Sequence, residues 1–219
     1  KMAHAAMRAG RELSEVRLLA VTKTVDADLI RKAVNIGLRK FGENRVQEAQ
    51  KKIVGGELKT LSEKVQWHLI GHLQKNKVKT AVALFDQIQS VDSLELAEEI
   101  DSQSAKIGKQ QRVLIQVKLS EEETKHGVAE KDLFDLVRKA AILPHLKLEG
   151  LMTLPPFFDD PERARPYFRR LSDLRKEAEK KGFRLPGLSM GMSHDFEVAI
   201  EEGATMVRVG TAIFGERSY

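Results

Sequence analysis

Cysteine is absent from this chain. That excludes disulfides and thiolate chemistry and fits a reducing, cytoplasmic setting. Aromatic residues make up only 5% of the sequence, with one tryptophan and two tyrosines, so a nucleic-acid surface built on base stacking has little to work with. No apolar run is long enough to span a bilayer, and the start, Lys1-Met2-Ala3-His4, carries no secretory-signal pattern. No low-complexity or linker-like segment interrupts the chain. One domain over residues 1–219 is therefore expected, with neither a membrane nor a nucleic acid as partner.

What remains is ordinary in bulk and specific in detail. The 219 residues are 42% apolar and 32% charged, the profile of a globular protein with a sizeable core. The net charge of +5 and the pI of about 9.3 raise the question of an anionic partner. The most basic stretch, Arg163 to Arg184, also holds Asp173, Glu177 and Glu179. Its apolar residues Phe168, Leu171, Leu174 and Ala178 recur at helical spacing. It reads as a core-packed helix with a solvated charged face.

Short apolar runs alternate with amphipathic ones throughout. A helix over residues 3–15, packed on the rest, precedes a strand at 17–22. Asp26 caps a helix to Val34. Strands follow near 39–41, 66–70, 87–89, 112–118, 146–152, 187–190 and 206–209. Helices are expected over 45–53, 74–84, 93–106, 131–141, 163–181 and 196–201, with Gly55-Gly56 marking a loop. Eight strands, most followed by a helix, predict an α/β fold, a single (β/α)8 TIM-type barrel. A doubly wound open sheet is the alternative.

In a barrel the active site sits at the C-terminal strand ends, and the unusual polar residues gather there. Leu18-Leu19-Ala20-Val21-Thr22 runs into Lys23. The last strand runs through Arg208 into Gly210-Thr211, a glycine turn whose backbone N–H groups can approach an anion closely. A lysine at one strand end and a phosphate cradle at another suggest a phosphorylated aldehyde. Lys23 is read either as an imine-forming amine or as a lysine that merely flanks a strand. Ser193 is read as a phosphate ligand or as the cap of the helix after it, and Asn44 as a ligand or a helix cap. Arg208, among apolar neighbours, needs either a carboxylate or a ligand acceptor. His68 and His72 stand four apart, but His68 lies in a strand and no carboxylate or thiol accompanies the pair, so no metal is expected. His194-Asp195 lacks a serine elbow.

Several segments together resemble the pyridoxal phosphate homeostasis protein family. They are Ala20-Val21-Thr22-Lys23, Phe41-Gly42-Glu43-Asn44 with Gln47-Glu48, Trp67 through Lys77, Gly150-Leu151-Met152, Leu188 through Ser193, and Arg208 through Gly215. They run in order from about Leu18 to the end. The resemblance implies a barrel like the alanine racemase N-terminal domain that carries pyridoxal 5′-phosphate (PLP) as a Schiff base on Lys23. It implies phosphate contacts from Ser189, Ser193, Gly210 and Thr211, with Arg208 near the pyridine nitrogen, and it places Asn44 and Met152 in the cofactor site. Two departures stand out: Lys118 replaces the family's asparagine, and His194 stands where an acidic residue is frequent.

Related racemases draw a catalytic tyrosine from a second domain. The chain ends at Tyr219, soon after the barrel motif, and its other tyrosine, Tyr167, lies in an expected helix. The resemblance thus implies a carrier or regulator in intracellular PLP (vitamin B6) and amino-acid balance, without substantial turnover. PLP-dependent apoenzymes are the expected recipients, and the chain is expected to be a cytoplasmic monomer or weak dimer. The alternatives are a slow PLP-dependent racemase, lyase or transaminase, and a phosphate-binding barrel in which Lys23 only neutralises charge.

Overall fold

Strand β1 (Arg17–Val21) shows how alternation builds this molecule. Leu18 and Ala20 face the large core between strands and helices. Leu19 and Val21 face the other way, into a small separate cluster with Ile70 and Met206. A strand apolar on both faces needs cover on both sides, and a sheet curled on itself with helices outside supplies it.

The computed structural model describes residues 1–55, 58, 61, 65–122 and 126–215. Gly56 and Tyr219 therefore lie outside the described residues. After α1 (Met2–Arg8) and β1 come α2 (Ala27–Asn35), β2 (Lys40–Glu43), α3 (Val46–Ile53), β3 (Gln66–Leu69) and α4 (Val78–Leu84). Next are β4 (Gln87–Val91), α5 (Leu94–Lys106), β5 (Gln111–Lys118), β6 (Val128–Ala129), α6 (Leu133–Ala140) and β7 (Leu146–Met152). The described chain closes with α7 (Arg165–Lys180), β8 (Gly187–Met192), α8 (Phe196–Glu201), β9 (Met206–Val209) and α9 (Thr211–Phe214).

All pairings are parallel. The strand order is β4-β3-β2-β1-β9-β8-β7-β5, and β4 also pairs with β5. That last pairing closes the ring and overturns the open-sheet alternative. The two-residue β6 is an addition at the end of β5. It was not anticipated, since two residues carry no period. The eight expected strands are all present, and three of the expected helix starts are single turns of 3-10 helix before the α-helix proper.

The N-terminal helix is shorter than expected. It stops at Arg8, Gly10 takes φ +64, and a separate 3-10 turn covers Leu13–Glu15. A left-handed residue ends an α-helix, and glycine adopts it without a Cβ penalty. What remains of α1 is buried at Ala5 and Ala6. Arg8 pairs with Glu197 and Glu201 of α8, and Arg11 donates to the Ile200 and Ala204 carbonyls.

Helix α7 matches its reading. Phe168, Leu171, Leu174 and Ala178 are fully buried. On its charged side Arg165 engages Glu162, Glu201 and Glu202, and Arg170 engages Glu130 and Glu177. No helix among the described residues is long and apolar enough to cross a membrane.

Candidate functional site

The same alternation aims polar side chains inward. On β9, Val207 and Val209 pack outward while Met206 and Arg208 face the interior. On β3, Trp67 and Leu69 are outside and His68 inside, and Ile70, just past the strand end, is inside as well. On β4, Ile88 is outside, and Gln87 and Gln89 inside. Hydrogen bonds then form a file along the barrel. Gln87 Nε2 donates to Glu149 Oε2 (2.9 Å), Gln89 Nε2 to Gln87 Oε1 (3.2 Å), Ser189 Oγ to Gln89 Oε1 (2.6 Å) and Arg208 Nη1 to Ser189 Oγ (2.7 Å). Arg208 Nη2 donates to the Thr153 carbonyl at 2.8 Å.

Arg208 is only 2% exposed, yet among the described residues no carboxylate lies within ion-pair distance of it. Burial pushes its guanidinium down to about 10, opposed by Asp195, so it remains a cation at neutral pH. A buried cation held by neutral acceptors keeps most of its field for whatever enters beside it. His68 accepts at Nδ1 from Gln89 Nε2 (2.9 Å), because an amide nitrogen can only donate, and its ring is neutral.

At the C-terminal mouth of the barrel is a cleft of about 430 Å3, in the range of ligand sites. Lys23, Asn44, Ser193, Arg208, Gly210 and Thr211 line it, with an apolar wall that includes Ile70, Leu154, Pro155 and Phe157. Six of the eight expected cofactor residues are thus brought together. Ser189 and Met152 are not among the lining residues. Ser189 is buried beneath Arg208 as a strut, and Met152 is buried one residue before the carbonyl that holds Arg208. A larger cavity of about 620 Å3 lies at the opposite end of the strands, lined by Arg17, Gln87, Glu149 and Gly187. In this fold that face carries stability and the C-terminal face carries chemistry, so the smaller cleft is the candidate site.

Lys23 continues the inward parity of Leu19 and Val21, which delivers it to the mouth. Thr24 then takes φ +61, a strained value for a β-branched residue. A network that sequence reasoning missed holds the two flanking threonines. Lys52 Nζ donates to Thr22 O (2.6 Å), Glu43 Oε1 (3.0 Å) and Glu48 Oε1 (2.8 Å). Thr24 N donates to Glu48 Oε1 at 2.6 Å, and Thr22 Oγ1 to Glu43 Oε1 at 2.7 Å. Burial pushes the Glu43 carboxyl up, with Lys52 opposing. The i, i+4 spacing of Glu48 and Lys52 is the one visible signal.

Ser193 does not cap the helix after it, whose N-cap is Asp195 without a side-chain bond. Its Oγ accepts from Gly210 N (3.1 Å) and Ala212 N (3.4 Å) instead. Asn44 is not a cap either, because Arg45 occupies that position. Two backbone donors converging on one oxygen make the kind of nest an anion uses. The β8–β9 register shifts between Ser189 and Met192, and Gly191 at φ +89 sits in the shift. A Cβ there would stand 2.5 Å from the Ala199 Cβ. The bulge swings Met192 and Ser193 toward β9. His194 also lines the cleft, and its Nε2 lies 2.9 Å from the Asp159 carbonyl.

An amine, a buried guanidinium and a backbone nest in one cleft, with apolar side chains beside them, suit a flat ring that carries an aldehyde and a phosphate. The residues present therefore fit PLP. The fold and this mouth define a class: the family described as the alanine racemase N-terminal domain matches residues 1–218. A solved alanine racemase of Clostridium difficile 630 shares the fold at 14% identity and TM-score 0.72, over all of this chain and 56% of that one. Within the class, the chain belongs to the pyridoxal phosphate homeostasis protein family. It is 50% identical to the Aquifex aeolicus member over 97% of this chain and 92% of that protein. PipY of Synechococcus elongatus PCC7942, solved with PLP bound, is 37% identical with TM-score 0.82, over 98% of this chain and all of PipY.

Proposed function

We propose that this chain binds PLP in the cleft at the barrel mouth and serves PLP homeostasis as a carrier. The observation that carries this reading is the convergence of Lys23, Arg208 and the Ser193–Gly210 nest on one cleft. Its support from outside is a relative of the same family solved with PLP and a relative named for PLP homeostasis. Lys23, which lines the cleft, is the amine that would bond with the aldehyde carbon. The amides of Gly210 and Ala212, with the Ser193 and Thr211 hydroxyls, hold the phosphate. Arg208 offers charge and donors to the ring, and Asn44 bounds it from the β2 side. When bound, PLP supplies an electrophilic carbon and a conjugated ring. PLP-dependent apoenzymes are the recipients this reading implies.

The test is the visible spectrum of the protein with PLP, followed by borohydride reduction and peptide mass mapping. A band lost in Lys23→Ala, and a reduced adduct on the Lys23 peptide, are expected. An adduct on another lysine, or none, would overturn the assignment.

One observation favours a second reading, slow catalysis. His194 lines the same cleft as Lys23, and a second proton-transfer group facing the first is what racemisation requires. Its Nε2 is engaged with the Asp159 carbonyl, which leaves Nδ1 as the atom to move a proton. Exchange of an amino-acid α-proton above the rate with free PLP, lost in His194→Ala, would establish it.

A further inference from the structure

Three side chains outside the cleft converge on the same rim. His72 follows β3, Asp92 follows β4 directly, and His126 ends the crossing from β5 to β6. One ligating atom from each lies within 4.8 Å of the other two. The imidazoles stack with centroids 3.9 Å apart and planes inclined by 14°, and His72 Nδ1 is 3.6 Å from Asp92 Oδ2.

Each of the three stands on backbone that is held. At Gly71 a Cβ would lie 2.2 Å from the Asn44 carbonyl oxygen, so the turn into His72 is seated directly on Asn44. Behind Asp92, Ser93 Oγ caps α5 by accepting from Leu96 N at 3.3 Å. Gln116 Nε2 donates to the His126 carbonyl at 2.9 Å, and a Cβ at Gly127 would lie 2.6 Å from Lys118 N. Ligands on fixed backbone lose little freedom when they take up an ion.

We propose that His72, Asp92 and His126 form a site for a divalent transition metal of the zinc class, with water completing the coordination. Two imidazoles and a carboxylate suit such an ion better than magnesium or calcium, which take oxygen ligands. Bonds of about 2.0–2.2 Å in a tetrahedral site set ligand atoms about 3.4 Å apart, and to aim both lone pairs at one ion the two exposed imidazoles must turn out of their stack, which side-chain rotation on the solvent-facing rim permits. The largely buried Asp92 carboxylate lies beside two imidazoles, and a cation between them satisfies all three groups at once. The site is separate from the PLP cleft, with Asn44 as the wall between. Asn44 lines the cleft and also, with His72, a shallow pocket of about 460 Å3.

The test is equilibrium dialysis of the untagged full chain against zinc chloride, read by elemental analysis. Cobalt(II) uptake, read from its visible ligand-field band, serves as a second probe. One zinc per chain is expected. His126→Gln, which changes an exposed side chain, should weaken uptake at least about ten-fold and remove the cobalt band. Asp92→Asn should do the same with an unchanged circular dichroism spectrum. Sub-stoichiometric zinc uptake by the wild type, or uptake by His126→Gln equal to wild type, would overturn the proposal.

Discussion

Arg208 carries the sharpest residue-scale expectation. Its two hydrogen bonds serve Ser189 Oγ and the Thr153 carbonyl, both buried. Arg208→Ala removes both donors and empties a guanidinium-sized space, so unfolding free energy should fall by about 1–3 kcal/mol. PLP retention should fall with it, measured by gel filtration of the loaded protein. Unchanged retention would remove Arg208 from the site. The arginine was legible in the sequence because a charge among Val207, Val209 and Met206 is out of place on a strand. Its partners were not, since Ser189 and Thr153 approach it only through strand order and register. The same holds for Ser193, whose acceptor role toward Gly210 and Ala212 spans two elements, while its neighbourhood in sequence suggested a local cap. His72, Asp92 and His126 are separated by long stretches of chain, and no spacing rule could have grouped them.

At the scale of elements, the β8–β9 bulge is the feature most exposed to a single change. Gly191→Ala would force a non-glycine residue to φ +89 and set a Cβ 2.5 Å from Ala199. A loss of at least about 2 kcal/mol in denaturant unfolding is expected. PLP affinity should weaken because Ser193 follows two residues later. Full affinity with a displaced α8 would separate the bulge from the nest. The rhythm of strand and helix was readable because each strand keeps an apolar outer face, which marks it whether or not its inner face is polar. Strand ends were least readable where a register shift breaks the alternation: β4 continues through Ser90 and Val91, and β8 through Gly191 and Met192. The closing Thr211–Phe214 turn of helix hid inside what reads as a glycine turn.

For the molecule as a whole, the polar file through the barrel predicts its response to acid. Burial, then the charges of Lys40, Arg112 and Arg17, push His68 from 6.5 down to about 3. The unfolded chain takes a proton at this residue as pH falls through about 6.5, and the folded chain does not until about 3. The contribution of His68 is therefore fully present above pH 6.5 and is lost as pH falls from there toward 3, by about 2 kcal/mol between pH 7 and pH 5. Urea unfolding at those two pH values should show this increment in the wild type and not in His68→Gln. Equal acid sensitivity would place the protonation elsewhere. Closure of the ring by β4 and β5 has a further consequence, for the way protons leave the backbone. A sheet without an edge offers no strand that can peel away first. Ladder amides such as those of Leu19, Phe41 and Ile115 should then exchange with deuterium only through global opening, at one common rate. The rim beyond the ladder, from Thr24 onward, should exchange by small local excursions: a clock with one slow hand inside and many fast ones at the mouth.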